Sequence, residues 1–505
     1  MDSQRNERVD HLVVLGGGTA GFISAITCRS KMRNLRVTLV RSREIGIIGV
    51  GEGTTPVVPS LLHGYLNLDP AEFYKRAEPT WKLGVRFLWG PFDHYNYTFS
   101  LQFGRSIEGL TRRSGFYALK DPHYVDSASS LMEEDRVFLQ NGQGIPLIGK
   151  DLAYHLENQT FVSYLEQVAK ALGVSIIEDK VVDVDLSEEG VTAVQLEERG
   201  RLAGDLFVDA SGFRSALLGE ALEEPYVSYG DSLFCDRAVA GGWERGPDEP
   251  IKPYTTSETM DSGWCWQVEL EKRINRGYVY SSGFISDDEA ESEFRKLNPN
   301  VGDTRVVKFT SGRRERAWVK NVVGIGNASG FVEPLESTSL GVICADSQAL
   351  VAALIECDRR PNESMRWQHN DRCRRVWDTI RNFLSIHYRF NKRCSTEFWR
   401  ACNEKVDLHE AERIVDYYRE NGPSALWGEY AVDKGDQFKI EGYVAHLMGL
   451  GAPCEWNGSI SEEEWKRWQV YRSKMKQAAQ NGLTVDQALK VVKSDSWKWA
   501  PGFYR

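Results

Sequence analysis

The chain has 505 residues, with 62 Lys+Arg against 72 Asp+Glu and a formal net charge of −10. At 41% hydrophobic and 27% charged, it has the composition of an ordinary globular protein with a core of its own, which argues against disorder and coiled coil, and its acidity repels a phosphate backbone, so no nucleic acid is expected. Its nine cysteines include no C-x-x-C pair, so reduced, mostly buried thiols and no metal are expected.

The polar start, Met1 to Asp10, runs into an apolar stretch that glycines 16–18 interrupt. Neither a secretory segment nor a membrane span is read there, and a cytoplasmic location is expected. In chain order, HLVVL (11–15) is a short apolar run, GGGTAG (16–21) breaks it, FISAITCRSKM has helical spacing and LRVTLV is β-branched; together they predict a βαβ unit. Residues 43–61 are too rich in Gly, Thr and Pro for a regular element and too apolar for a solvated linker, so a packed loop is expected. Leu152 to Leu172 reads as a helix. Val174 to Val194 reads as short strands with a turn at Glu188-Glu189-Gly190, and GDLFVDASG (204–212) returns to buried strand.

From Leu233 to Gly283, alternating aromatic and β-branched segments predict an antiparallel sheet beside the nucleotide module. Residues 305–330 supply a strand pair, and 333–357 contain a long apolar helix. Further helices are expected near 364–386, 408–420, 461–476 and 485–494. The fold class is therefore α/β. Residues 1–350 are expected to form a Rossmann-like nucleotide-binding module with an inserted sheet at about 233–300, and 351–505 a helical region packed on it that completes the substrate pocket.

The first chemical signal is Gly16-x-Gly18-x-x-Gly21 between a strand and a helix, with Thr19 and Ala20 in the turn. Such glycines give a tight turn, close approach of backbone to a pyrophosphate and close helix–strand contact, with the helix N-terminus facing the phosphate. At the end of the next strand, where a carboxylate commonly holds the adenosine ribose, stands Arg41. It would either accept a 2′-phosphate or be a solvated side chain, and the second is favoured.

Beyond these, GVGEGTTP (49–56), WKLGVRF (81–87), FVDASGFRS (207–215), GWCWQV (263–268) and GNASGFVEPLESTSLG (326–341) follow in order. Over residues 10–350 this series resembles the flavin-dependent tryptophan halogenases. The resemblance implies a glutathione-reductase-type FAD module and an FADH2- and O2-dependent halogenase, with FADH2 from a separate flavin reductase because no second nucleotide motif is visible. It also implies a chloride or bromide ion and an aromatic small-molecule substrate; a membrane partner is not expected, and a homodimer is one option.

Reduced flavin and O2 oxidise halide to hypohalous acid, a small and destructive species that must be held and aimed. The resemblance assigns that task to Lys82, whose bland alternative is a lysine punctuating a strand near the surface. The ring becomes cationic as the halogen adds, so a carboxylate is needed to stabilise it and help remove its proton. By resemblance this is Glu336, otherwise a first-turn residue complementing the helix dipole. Backbone N–H groups of Thr338 and Ser339 would form the halide pocket, although the family typically carries Gly at 339.

Further FAD contacts implied are Val50, Glu52 and Gly53 of a strap-like loop, Leu340 behind the isoalloxazine, Val181 at the adenine, and Asp209, Gly326 and Asn327 along the ribityl and pyrophosphate; Asp209 is equally well a structural residue.

Two departures bear on chemistry. The family's W-x-W-x-I-P appears as Trp264-Cys265-Trp266-Gln267-Val268-Glu269, so the proline is replaced by an acid at a wall expected to separate flavin from substrate. The family's His-x-Phe-Gly corresponds to Leu101-Gln102-Phe103-Gly104, leaving Leu101 and Phe103 to line the substrate pocket and pointing to an indole or phenol other than free tryptophan. A flavin monooxygenase and a non-catalytic flavin-binding interaction protein are the alternative readings.

Overall fold

A computed structural model describes residues 8–42, 44, 51–100, 109–111, 122–424, 428–456, 458 and 460–500. Val50, Leu101 and Phe103 lie outside the described residues.

The predicted βαβ unit is present: His11–Leu15, the helix Thr19–Lys31 and Arg36–Arg41. The two strands pair in parallel, Leu12 beside Val37 and Val14 beside Leu39. Their sheet has six strands, in the order Trp318–Val319, Val322–Gly324, Leu206–Asp209, His11–Leu15, Arg36–Arg41, Ser175–Glu178. All neighbours are parallel except the outermost pair, Trp318–Val319 with Val322–Gly324. Parallel strands are covered on both faces and need no alternation, and His11–Leu15 is accordingly buried at every position. This is the α/β, Rossmann-like architecture expected. The hairpin turn at 188–190 is also found, between Val181–Ser187 and Gly190–Leu196.

The second sheet is larger than the inserted segment. It has seven strands, ordered Arg305–Lys308, Arg237–Glu244, Arg273–Tyr280, Gly263–Glu269, Thr255–Met260, Gly84–Leu88, Tyr95–Thr98. Two early strands join its edge because Gly84–Leu88 pairs in parallel with Thr255–Met260, a long-range pairing that periodicity cannot reveal. The packed-loop reading of 43–61 is corrected where the residues are described. Glu52–Gly53 pairs with Ala153–Leu156, and helical backbone runs from Val57 to Tyr65.

Ser339–Glu356 is long and apolar enough to cross a membrane, but it is a core helix, with Leu340, Ile343, Leu350 and Leu354 in one buried cluster with Phe22 and Ile26 of the first helix. The C-terminal helices include the expected Glu363–Phe390, Glu412–Asn421, Glu462–Gln480 and Val485–Val492, together with Glu397–Lys405 and Lys439–Gly449, which the pattern did not single out. They share a core with the second sheet, where Phe383, Leu384, Tyr443 and Leu447 meet Val85, Phe87, Trp264 and Leu335. All nine cysteines are unpaired, and six of them are buried.

Candidate functional site

The glycine turn has the shape the sequence asked of it. Gly16 has φ +131°, and a Cβ there would lie 2.1 Å from the carbonyl oxygen of Ala210. A Cβ at Gly18 would meet nothing within 4 Å, and Gly18 caps the helix Thr19–Lys31 without any side-chain hydrogen bond. Its first-turn amides, with Thr19, Ala20 and Gly21, thus open onto free space at the positive end of a helix, which suits a pyrophosphate.

Arg41 is neither solvated nor free for a 2′-phosphate. Its guanidinium donates to both oxygens of Glu166 at 2.8 and 3.0 Å and to Glu178 at 2.8 Å. A second phosphate there would face two carboxylates. Asp209 falls to its structural reading, because its oxygens accept from Ser211 N and Oγ and from the amides of Leu217 and Leu218. Val181 is buried with Leu15 and Val40 beside the six-stranded sheet, and Leu340 is buried in the first turn of Ser339–Glu356.

A cavity of about 150 Å³ lies between the strap and the second sheet, lined by Glu52, Gly53, Trp266, Asn327, Ser337 and Ser339 among others. Asn158 ties the strap down, donating to Glu52 Oε1 at 2.9 Å and accepting from the amide of Gly51 at 3.1 Å. Gly326 adopts φ +69° next to Ala20, bringing this wall to the glycine turn. The glycine turn, the cavity beside it and the apolar wall of that cavity suit a dinucleotide cofactor such as FAD.

The two tryptophans of the W-x-W strand divide their work. Trp266 faces the cavity, while Trp264 donates to Glu333 Oε2 at 2.8 Å. Tyr388 also donates to Glu333, yet burial dominates and pushes this carboxyl up to about 7. Glu269, the residue in place of proline, is buried and paired with Arg245 at 2.5 Å, so its charge is matched within the wall. Replacing Arg245 with methionine would leave that buried acid without its opposite charge, with the Gln267 amide still donating to Oε1 at 2.6 Å. A loss of about 3–5 kcal/mol in urea unfolding is expected, and an unchanged midpoint would contradict the pairing.

Lys82 and Glu336 come from distant parts of the chain and meet in the interior. Lys82 ends the strand Thr80–Lys82, which pairs with Ala153–Leu156. Its exposure is 0%, which overturns the surface reading. Nζ donates to Ser337 Oγ at 2.7 Å. Burial lowers the ammonium to about 7, against the opposing charge of Glu336.

Glu336 closes the short 3-10 turn Pro334–Glu336, and Ser337 then takes left-handed backbone at φ 56°. That reversal lets Thr338 cap the long helix without a side-chain bond and separates Glu336 from the helix's first turn, so the dipole-capping reading is corrected. Thr338 is buried and Ser339 half-buried against the cavity.

The residues missed from sequence are the ones that hold Glu336. His387 Nε2 lies 2.9 Å and His446 Nε2 3.1 Å from the same oxygen, Oε1. Burial pushes the Glu336 carboxyl up, but the two histidines outweigh it and hold it well below the usual range. His387 sits near the end of Glu363–Phe390 and His446 in the apolar helix Lys439–Gly449. A lone histidine on an apolar helix reads as core, and no spacing in the chain links either to Glu336. Of the C-terminal aromatics, Phe438 stacks on Phe383 at 3.7 Å and Tyr443 meets it edge-on at 5.0 Å, beside both histidine rings. Tyr430 is 81% exposed.

A model of the tryptophan halogenase family matches residues 11–461. Tryptophan 7-halogenase RebH of Lentzea aerocolonigenes is 30% identical over 489 residues, covering 88% of this chain and 90% of that one. Among solved structures, MibH, a lanthipeptide tryptophan 5-halogenase, superposes with TM-score 0.88 at 34% identity, covering 98% of this chain and 97% of that one. BrvH, a flavin-dependent halogenase from Brevundimonas sp. BAL3, gives TM-score 0.84 at 28% identity, with 96% and 100% covered. On the family match, the FAD-shaped cradle and the buried lysine–glutamate site, the chain belongs to the flavin-dependent tryptophan halogenase family of enzymes.

Proposed function

We propose that the protein uses FADH2 from a separate reductase, O2 and chloride or bromide to halogenate an electron-rich aromatic ring, with Lys82 and Glu336 as its catalytic residues. The observation that carries this reading is their convergence: a fully buried amine hydrogen-bonded to Ser337, and an ionised carboxylate on the residue before it. When bound, reduced FAD supplies the O2-dependent oxidation of halide to hypohalous acid.

The chain's own residues then hold and aim that acid. With its ammonium brought down to about 7, Lys82 offers both an N–H donor and a free amine near neutral pH, to hydrogen-bond the acid or carry its halogen. As the O–halogen bond breaks, the halogen adds to the ring without its electron pair, and hydroxide leaves. Glu336 stabilises the ring cation and takes the ring proton, so that halogenated arene and water are the products. Amides at Thr338 and Ser339 serve the halide; Gly16, Gly18, Thr19, Ala20, Gly21, Glu52, Gly53, Gly326, Asn327 and Leu340 serve FAD. The domain reading, an FAD module over 1–350 completed by a helical region over 351–505, belongs to the same proposal.

For the substrate we favour an indole or phenol carried on something larger than free tryptophan. Likeness to a lanthipeptide halogenase supports this, as does the absence of a histidine at Leu101-Gln102-Phe103-Gly104. The test supplies reduced FAD, O2 and chloride or bromide with free tryptophan, tryptophan-containing peptides, indoles and phenols, read by mass. A halogen mass shift lost in Lys82→Ala is expected. An added oxygen independent of halide would instead establish a monooxygenase, and a shift on free tryptophan alone would overturn the substrate reading.

A further inference from the structure

Among the described residues, three groups bring histidine and carboxylate atoms close enough to share an ion. One is the Glu336 site, and one, Asp231, Asp407 and His409, has a single imidazole and lies open to water. The third, His94, His123 and Glu133, belongs neither to the Glu336 site nor to the lining of the flavin cavity.

His94 directly precedes Tyr95–Thr98, the edge strand of the seven-stranded sheet, and Glu133 ends the helix Ser127–Glu133. That helix is fastened to the strand at both ends. Thr98 Oγ1 donates to Asp126, the helix cap, at 2.9 Å, and Asn96 Nδ2 donates to Glu133 Oε1 at 2.6 Å. The carboxylate is thereby held between two imidazoles: His94 Nε2 lies 2.9 Å from Oε2 and His123 Nδ1 2.8 Å from Oε1, with the rings edge-on at 4.6 Å. The three ligand atoms fall within 4.8 Å of one another. Four-coordinate zinc, at ~2.0–2.1 Å from each ligand, holds its ligands roughly 3.3 Å apart, so small side-chain shifts complete the set. Glu133 is shielded, at 9% side-chain exposure, while His94 and His123 are 23% and 22% exposed, which gives an ion a way in from solvent on the histidine side. Arg86 brings a positive charge to 3.8 Å from Oε2 and so lowers the affinity, but it donates to Tyr254, to the carbonyl of Met132 and to Asn96, and through Asn96 it fixes the carboxylate.

We infer that His94 Nε2, His123 Nδ1 and one oxygen of Glu133 form a binding site for a single divalent ion of the zinc type, with water in the fourth position. Two imidazoles and one carboxylate suit Zn2+ or a neighbouring first-row ion rather than Mg2+ or Ca2+, which take oxygen ligands. Without the ion, each ring donates an N–H to its own carboxylate oxygen, because a carboxylate only accepts. On binding, the hydrogen leaves each ligating nitrogen, the ring stays neutral with its proton on the other nitrogen, and the lone pair goes to the ion. Asn96 remains on the carboxylate as the outer partner that orients it. No short spacing in the sequence marks these residues. The ion would join the entry to the edge strand, the chain leading into the helix and the end of that helix.

Metal uptake needs no turnover, so its test is independent of the halogenation reading. The full chain, freed of any affinity tag and stripped with a chelator, is titrated with Zn2+ by calorimetry and with Co2+ by visible absorption, and its unfolding midpoint is followed in each case. One equivalent per chain, the bands of four-coordinate Co2+ without thiolate charge transfer, and a higher unfolding midpoint are expected. Excess Mg2+ should not compete. His94→Ala and His123→Ala should each weaken Zn2+ binding about 100-fold or more, and Asn96→Ala about tenfold, whereas His409→Ala, in the other surface group, should leave it unchanged. No uptake by the unaltered protein, thiolate bands with Co2+, or an affinity that survives in both His94→Ala and His123→Ala would overturn the site.

Discussion

Lys82→Met is expected to abolish halogenation and stabilise the protein in the same substitution. The loss should be about 10²–10³-fold, since the amine holds the halogen donor inside a dry site. The stabilisation follows from burial. The ammonium titrates near 10.5 when unfolded and about 7 when folded, so folding expels a proton between those values and stability rises with pH across that window. At pH 7 the charged form costs about 2–4 kcal/mol. Methionine removes that cost and leaves Ser337 Oγ without its donor, worth about 1 kcal/mol. A net gain of about 2 kcal/mol in urea unfolding at pH 7, and a flatter stability profile between pH 7 and 10, are the measurements. A less stable variant would mean that Lys82 is not buried as a lone base.

Glu336→Gln should separate two steps that Lys82→Met does not. Glutamine keeps the shape and can donate its N–H to the ring nitrogens of His387 and His446, so the pocket survives. It cannot take a proton or balance a ring cation. Aromatic halogenation should fall about 10²-fold, while hypohalous acid production, read with monochlorodimedone, stays within a factor of two. Equal loss of both would place Glu336 in oxidant formation and contradict its role at the ring.

Much of this site is legible in the chain because its parts are local. The glycine turn and its helix, the lysine on WKLG and the acid on PLEST each declare themselves within a few residues. Lys82 and Glu336 could be named from motif alone, but their burial could not. Arg41 shows the limit of a local reading: its position in the βαβ unit offered a 2′-phosphate contact or, as favoured, a solvated side chain, whereas Glu166 and Glu178, far along the chain, claim the guanidinium. Glu269 similarly looked like a charge added to the wall until Arg245 was found beside it. The strands Gly84–Leu88 and Tyr95–Thr98 join a sheet formed mostly from residues after 230, and His387 and His446 reach Glu336 from helices whose apolar patterns describe only what they bury. Non-local partners leave no periodic trace.

The last turn of Glu363–Phe390 puts consecutive residues onto two different acids, His387 onto Glu336 and Tyr388 onto Glu333. Any tilt or slide of that helix end would disturb both carboxyls together, one ionised and one held up to about 7. Attempts to widen the acceptor range by reshaping the C-terminal helices will therefore also alter reactivity, and libraries in this region should be screened for turnover and for product identity at the same time.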